Sequence, residues 1–235
     1  MFWARARERY RGVSPDDEDI RKFQKLSNSF QTDIYRGVCG WLQDLGHRWV
    51  AARTPACGSV LEIGFGGGRH SLFYRGDWQN YTASEFSAAH LDSPLWSGFK
   101  GNLLRCDARS LPFRAHRFDA VISIYNLEHV ADLQSVFREV HRVLTLGGRF
   151  LVALPCEGGL LWNIGRELTS RRVFQRKYGV NYDKVIAFEH VWDFHGVRAE
   201  LLRSGLFRVL SRRFIPAFVP SVHLNLIGCM ECAKA

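Results

Sequence analysis

Two hydrophobic periodicities divide this chain. In residues 30–50, FQTDIYRGVCGWLQDLGHRWV, the residues Ile34, Val38, Trp41, Leu42 and Leu45 recur at helical spacing, and residues 1 to about 50 read as polar-amphipathic helix. AARTPACG ends that pattern with turn-forming residues. Beyond it, short apolar runs alternate with helix-like segments. SVLEIGF (59–65), NYTASEF (80–86), GNLLRCDA (101–108), FDAVISIYN (118–126) and RFLVALPC (149–156) read as buried strands. DLQSVFREVHRVLTLGG, between the last two, is the clearest helix. Leu133, Val136, Phe137, Val140, Val143 and Leu144 form its stripe, Asp132 can cap it, and Gly147 can end it. FRVLSRRF and LNLIGCMECAK predict two further strands, the first preceded by a helix ending at SGLF. Alternation of this kind predicts an α/β fold, a parallel sheet covered on both faces. Residues 157–190 fit it poorly, are rich in Tyr, Arg, Trp and Gly, and read as an insertion over the strand ends.

Composition narrows the class. No apolar run reaches the length of a membrane span, and FIPAFVPSV is broken by Pro216 and Pro220. The opening MFWARARERYRG lacks the apolar segment of a secretory signal, so a cytoplasmic protein is expected. The formal net charge is +9, with basic residues at Arg5, Arg7, Arg9 and Arg11, at Arg171, Arg172, Arg176 and Lys177, and at Arg208, Arg212 and Arg213. Such clusters suit a phosphate-bearing partner, or serve simply as a solvated basic surface. Six scattered cysteines (39, 57, 106, 156, 229 and 232) read as reduced thiols. Cys229 and Cys232 have C-x-x-C spacing on a strand, where an odd separation sends them to opposite faces.

The chemistry concentrates at VLEIGFGGGRH (60–70), where four glycines fall in five positions directly after the first strand. Ligands of open α/β sheets sit beyond the carboxyl ends of the strands, and glycine lets the backbone approach them closely. A dinucleotide loop, G-x-G-x-x-G/A, needs a third small residue where this chain has Arg69. The pattern present, E-x-G-x-G-x-G, resembles the glycine-rich loop of class I S-adenosylmethionine-dependent methyltransferases. Four later elements resemble that family in order: Glu85 closing the second strand, Cys106-Asp107-Ala108 with Leu111-Pro112-Phe113, FDAVISIYNLEHV, and HRVLTLGGRFLVALP.

The resemblance implies a doubly wound seven-stranded Rossmann-like sheet of order 3-2-1-4-5-7-6 with an antiparallel last strand. It also implies a helical N-terminal cap (1–55) before the methyltransferase domain (56–235). S-adenosylmethionine is the implied cofactor. By position, Glu62 would stabilise the loop, and Gly64, Phe65, Gly66 and Gly68 would line the methionine and ribose parts. Glu85 and Phe86 would meet the ribose side, Asp107 and Ala108 adenine, and Tyr125 and Asn126 the sulfonium end.

Methyl transfer needs alignment and exclusion of water, and a hydroxyl acceptor also needs a base. His129, in Asn126-Leu127-Glu128-His129, follows the fourth strand. His190, in AFEHVWDFH, matches a histidine of many small-molecule methyltransferases; either could instead be structural. Some O-methyltransferases bind a metal through E-x-x-E-H, but Tyr125 replaces the first glutamate here, so no metal is expected. Glu157 follows the fifth strand and would bind an acceptor group or cap the next helical turn. Trp162, Arg166, Arg172, Tyr178, Tyr182 and Lys184 offer rings and cations for a sugar or phosphate, or pack the insertion onto the core. The insertion also resembles methyltransferases of bacterial surface-polysaccharide synthesis. The expected activity is therefore O-methylation of a small molecule or a glycan or lipid-linked intermediate, with peripheral membrane contact compatible and nucleic acid not expected. RNA methylation, a non-catalytic cofactor-binding partner subunit and a nicotinamide oxidoreductase are the rival readings.

Overall fold

Every apolar run read as a strand enters one sheet. The computed structural model describes residues 7–10, 12–34, 37–88, 90, 98–217 and 219–235, without the side chains of 27–34, 38 and 39. Arg5, Arg11 and the side chains of Ile34, Val38 and Cys39 lie outside the described residues. The strands are β1 (Val60–Ile63), β2 (Tyr81–Glu85), β3 (Asn102–Arg105), β4 (Phe118–Ile124), β5 (Leu144–Pro155), β6 (Phe207–Ile215) and β7 (Ile227–Lys234). Their order is β3-β2-β1-β4-β5-β7-β6, the order expected. The first five run parallel, and β7 is antiparallel to both β5 and β6.

The described helices are α1 (Glu18–Ile34), α2 (Gly37–Ala51), α3 (Leu133–Val143), α4 (Leu160–Leu168), α5 (Ser170–Val173), α6 (Tyr182–Glu189) and α7 (Phe194–Arg203). Strand pleating separates the core into two layers. Leu61, Ile63, Val121, Phe150 and Val152 meet α3 and α7 on one face; Val60, Ala120, Ile122, Leu151 and Ala153 meet Trp49 and Val50 of α2 on the other. Cys232 belongs to the first layer and Cys229 to the second, so the C-x-x-C thiols do face opposite ways. A third cluster joins Ile20 and Phe23 of α1 to Phe174, Tyr178, Val180, Tyr182, Val185 and Ile186 of the 157–190 segment.

Three local expectations fail for identifiable reasons. Helix α3 is capped as predicted, Asp132 Oδ1 accepting from the Ser135 N–H at 3.1 Å, but it ends at Val143 instead of reaching Gly147. Leu144 is fully buried, yet it pairs with Phe118 as the first residue of β5. The apolar stripe thus runs across a helix-to-strand boundary that periodicity alone does not mark. In α2, Trp41 is 57% exposed, and the buried residues among those described are Gly40, Gly46, His47, Trp49 and Val50. A Cβ on Gly46 would lie 2.2 Å from the Tyr125 hydroxyl, so a residue without a side chain is required at this point of the contact face, beside Trp49 and Val50. Strand β3, expected to be buried, is an edge with Leu103 45% exposed.

Candidate active site

The glycine loop begins where β1 stops. Gly64, Gly66 and Gly68 take left-handed backbone angles, φ +69, +56 and +82°, a region that L side chains avoid. Their surroundings differ. A Cβ on Gly64 would fall 2.1 Å from Cγ of Asn126, whereas one on Gly66 would meet nothing within 4 Å. The loop is therefore packed at its first glycine and open at its second. Glu85 tethers it: one carboxylate oxygen accepts from the Gly66 N–H and the other from the Ser87 N–H, both at 2.8 Å. The open, positive-φ surface above a paired carboxylate fits an adenosyl group, as the E-x-G-x-G-x-G pattern implies.

Glu62 lies beneath the loop, 2% exposed, accepting from the Tyr81 hydroxyl. Burial pushes its carboxyl up to about 8, against the opposing Tyr81 hydrogen bond. The Phe65 ring is buried and 4.8 Å from Phe99, so only its backbone is available to the loop surface. Phe86 is 64% exposed beyond β2. Asp107 is held by Arg109, whose Nη2 lies at 2.7 Å and whose backbone N–H lies at 2.9 Å; that pairing lowers its pKa. Ala108 is half-buried against the α3-side core. The Leu111 N–H donates to Glu139 at 2.7 Å, and Arg142 donates to the carbonyls of Leu111 and Phe113, so α3 pins the Leu111-Pro112-Phe113 loop.

Tyr125, expected at the sulfonium end, has its side chain committed to α2. Its backbone is left-handed at φ +52°, and its hydroxyl donates to the Gln43 carbonyl at 2.8 Å. Asn126 fills the space over Gly64.

His190, Glu157 and His129 converge, although they come from three separate segments. Glu157, fully buried, follows β5 and takes His190 on one carboxylate oxygen and Arg166 of α4 on the other. It does not cap α4, whose N-cap is Gly159. Burial opposes the charge on Glu157, but His190 and Arg166 hold its pKa low; His190 is raised by Glu157 against its own burial. The His129 ring stands edge-on to His190, centroids 4.7 Å apart, and its Nδ1 lies 2.9 Å from the Glu189 carbonyl. A carbonyl only accepts, so His129 Nδ1 carries the proton and Nε2 bears the lone pair. Nδ1 of His190 likewise donates to the Glu157 carboxylate, leaving its Nε2 as the basic nitrogen.

Two members of this cluster escaped the sequence reading in their actual roles. Arg166, read as a candidate sugar or phosphate contact, is buried between Glu157 and the Tyr182 hydroxyl, 2.8 Å from Nε. Burial raises the Glu128 carboxyl to about 7, and its Oε2 has no hydrogen-bond partner among the described residues. Its signal was adjacency to His129. Lys184 is also taken, paired with Asp17 and Asp19 of the N-terminal segment.

Comparison with known proteins bears on the fold and on the segment that holds the glycine loop. Residues 61–152 match the family described as a methyltransferase domain. The chain is 29% identical over 136 residues to a demethylmenaquinone methyltransferase of Roseiflexus castenholzii, covering 54% of this chain and 56% of that protein. It is 34% identical over 108 residues to a ubiquinone/menaquinone biosynthesis C-methyltransferase UbiE of Desulfotalea psychrophila, covering 43% and 44%. The chain thus spans about half the length of these curated relatives. Among solved structures, an S-adenosylmethionine-dependent methyltransferase of Thermotoga maritima, described as a possible histamine N-methyltransferase, superposes with TM-score 0.60 at 16% identity. That superposition covers 93% of this chain and all of the other. The glycine loop, the strand order and the matched segment agree: residues 61–152 carry the methyltransferase domain of the class I S-adenosylmethionine-dependent methyltransferases.

Proposed function

We propose that the protein transfers the methyl group of S-adenosylmethionine to a small molecule through an ionisable hydroxyl, with His190 as the base. The observation that carries this reading is the buried Glu157 holding His190 by Nδ1, at the carboxyl end of the sheet. Gly64, Gly66 and Gly68 would seat the methionine and ribose parts, Glu85 and Phe86 the ribose side, and Asp107 with Ala108 the adenine. The cofactor supplies an activated methyl group on a good leaving group.

The chain's own residues do the rest. Nε2 of His190 takes the acceptor's hydroxyl proton, and Glu157 stabilises the resulting imidazolium while Arg166 balances the carboxylate. An ionised hydroxyl on a conjugated ring presents charge at oxygen and at the neighbouring carbon. The same base therefore serves O-methylation and the C-methylation for which the Desulfotalea psychrophila relative is named. Those relatives favour a hydroxylated ring over a glycan as acceptor.

Incubation with methyl-labelled cofactor and a panel of hydroquinones, phenols and glycan intermediates tests the reading. Label should appear on a hydroxylated ring, and NMR of the product assigns oxygen or carbon. No transfer to any member of the panel, or undiminished transfer by His190→Ala, would refute it.

A further inference from the structure

Helix α4 carries an apolar line that the fold leaves uncovered. Leu160, Ile164 and Leu168 recur every fourth residue and are 59, 47 and 55% exposed. The helix packs elsewhere: Asn163 is buried, Arg166 reaches Glu157, and a Cβ on Gly159 would strike the Val222 carbonyl at 2.2 Å. The turn it packs against exposes Leu224 as well, 51% accessible. Isolated exposed leucines are ordinary on a protein surface. Three on one helical line form a stripe.

Beyond α4, which ends at Leu168, α5 and the turn after it carry Arg172 and Arg176, both exposed and without an ion pair among the described residues. Lys177 lies over the Tyr178 ring beside them, and the Lys22 ammonium lies against Gly179. Glu167 of α4 and Asp183 of α6 are both paired with Arg171. An apolar stripe followed by the exposed cations Arg172 and Arg176 mirrors an anionic bilayer surface, with acyl chains beneath a layer of phosphates. A protein groove would need an acidic rim to receive the same face; a second copy of this chain brings the same cations and repels them.

We infer that the Leu160–Ile164–Leu168 stripe with Arg172 and Arg176 docks the protein on an anionic lipid surface. The opposite side of α4 reaches Glu157 through Arg166, so docking sets the dyad beside the lipid. A lipid-dissolved acceptor would then have a short path to His190. That last consequence rests on the methyl-transfer reading; docking itself does not.

The test is flotation of the full chain, without cofactor or acceptor, on phosphatidylcholine vesicles with and without phosphatidylglycerol. The chain should float with the anionic vesicles and be released by salt. The pair Ile164→Gln/Leu168→Gln and the pair Arg172→Glu/Arg176→Glu should each weaken binding by roughly tenfold or more. Thermal melting monitored by circular dichroism establishes that both variants are folded. Failure of the parent chain to bind either vesicle, or equal binding by both variants, would overturn the inference. So would a concentration-dependent dimer, abolished by Ile164→Gln, that never binds vesicles. Because no cofactor is present, a negative result leaves the methyl-transfer proposal to be decided by labelled turnover.

Discussion

Arg69 donates from Nε and from Nη2 to the two carboxylate oxygens of Asp44, each at 2.9 Å. The arginine follows the last glycine of the loop, and the aspartate lies on α2 of the N-terminal segment. Together with the Tyr125–Gln43 hydrogen bond, this fork ties α2 to the loops that follow β1 and β4. The residue whose bulk excludes a dinucleotide loop therefore has a use of its own.

Breaking that fork should loosen α2. Arg69→Ala and Asp44→Ala are each expected to cost about 1 kcal/mol, for a partly buried bidentate pair. The double variant should be little worse than either single one, and both should weaken S-adenosylhomocysteine binding. Urea denaturation of the four proteins gives the coupling energy; additive losses would show that the two residues act independently.

The two glycines should fail differently. Gly66→Val places a side chain in open space at positive φ, so the fold should survive with a strain of about 1–3 kcal/mol. Calorimetric binding of S-adenosylhomocysteine should disappear. Gly64→Ala must displace Asn126, and so should lower the melting temperature as well. A Gly66→Val protein with unchanged affinity would remove the loop from the cofactor site.

The dyad predicts a pH signature. A base works unprotonated, and Glu157 raises His190, so turnover should rise with pH through a value above the ordinary imidazole value of about 6.5. Glu157→Gln removes the charge and should move that rise to lower pH. His190→Ala should reduce kcat by about 10²–10⁴ with little change in cofactor affinity. Rate profiles across pH for the three proteins separate a base from a structural histidine, which would leave the profile in place.

Glu62 should leave its mark on stability. Its carboxyl is raised from 4.5 to about 8 in the fold, so the native state keeps a proton that the unfolded chain releases between those values. The contribution of this group to stability therefore falls as pH rises from about 4.5 to about 8, and levels off above. The Tm difference between the parent and Glu62→Gln should shift across that interval; a constant difference would mean Glu62 is ionised throughout.

The pattern of the chain determined the sheet. Val60 to Ile63, Phe118 to Ile124 and Ile227 to Lys234 carry apolar residues on both faces, and such a strand has few places to go except the middle of a covered sheet. Glycines at 64, 66 and 68, with a carboxylate at 85, marked the left-handed loop and its tether because backbone conformation and charge are local properties. The tertiary structure alone decided the partners. That Glu157 meets His190 across 33 positions, that Arg166 neutralises it, and that Asp44 takes Arg69 depend on how helices settle against the strand ends. No local propensity encodes such meetings, because ion pairs between distant segments follow from packing. The buried face of α2 shows the same limit. Gly46 marks it through the absence of a side chain, and hydrophobic periodicity counts only the side chains that are present.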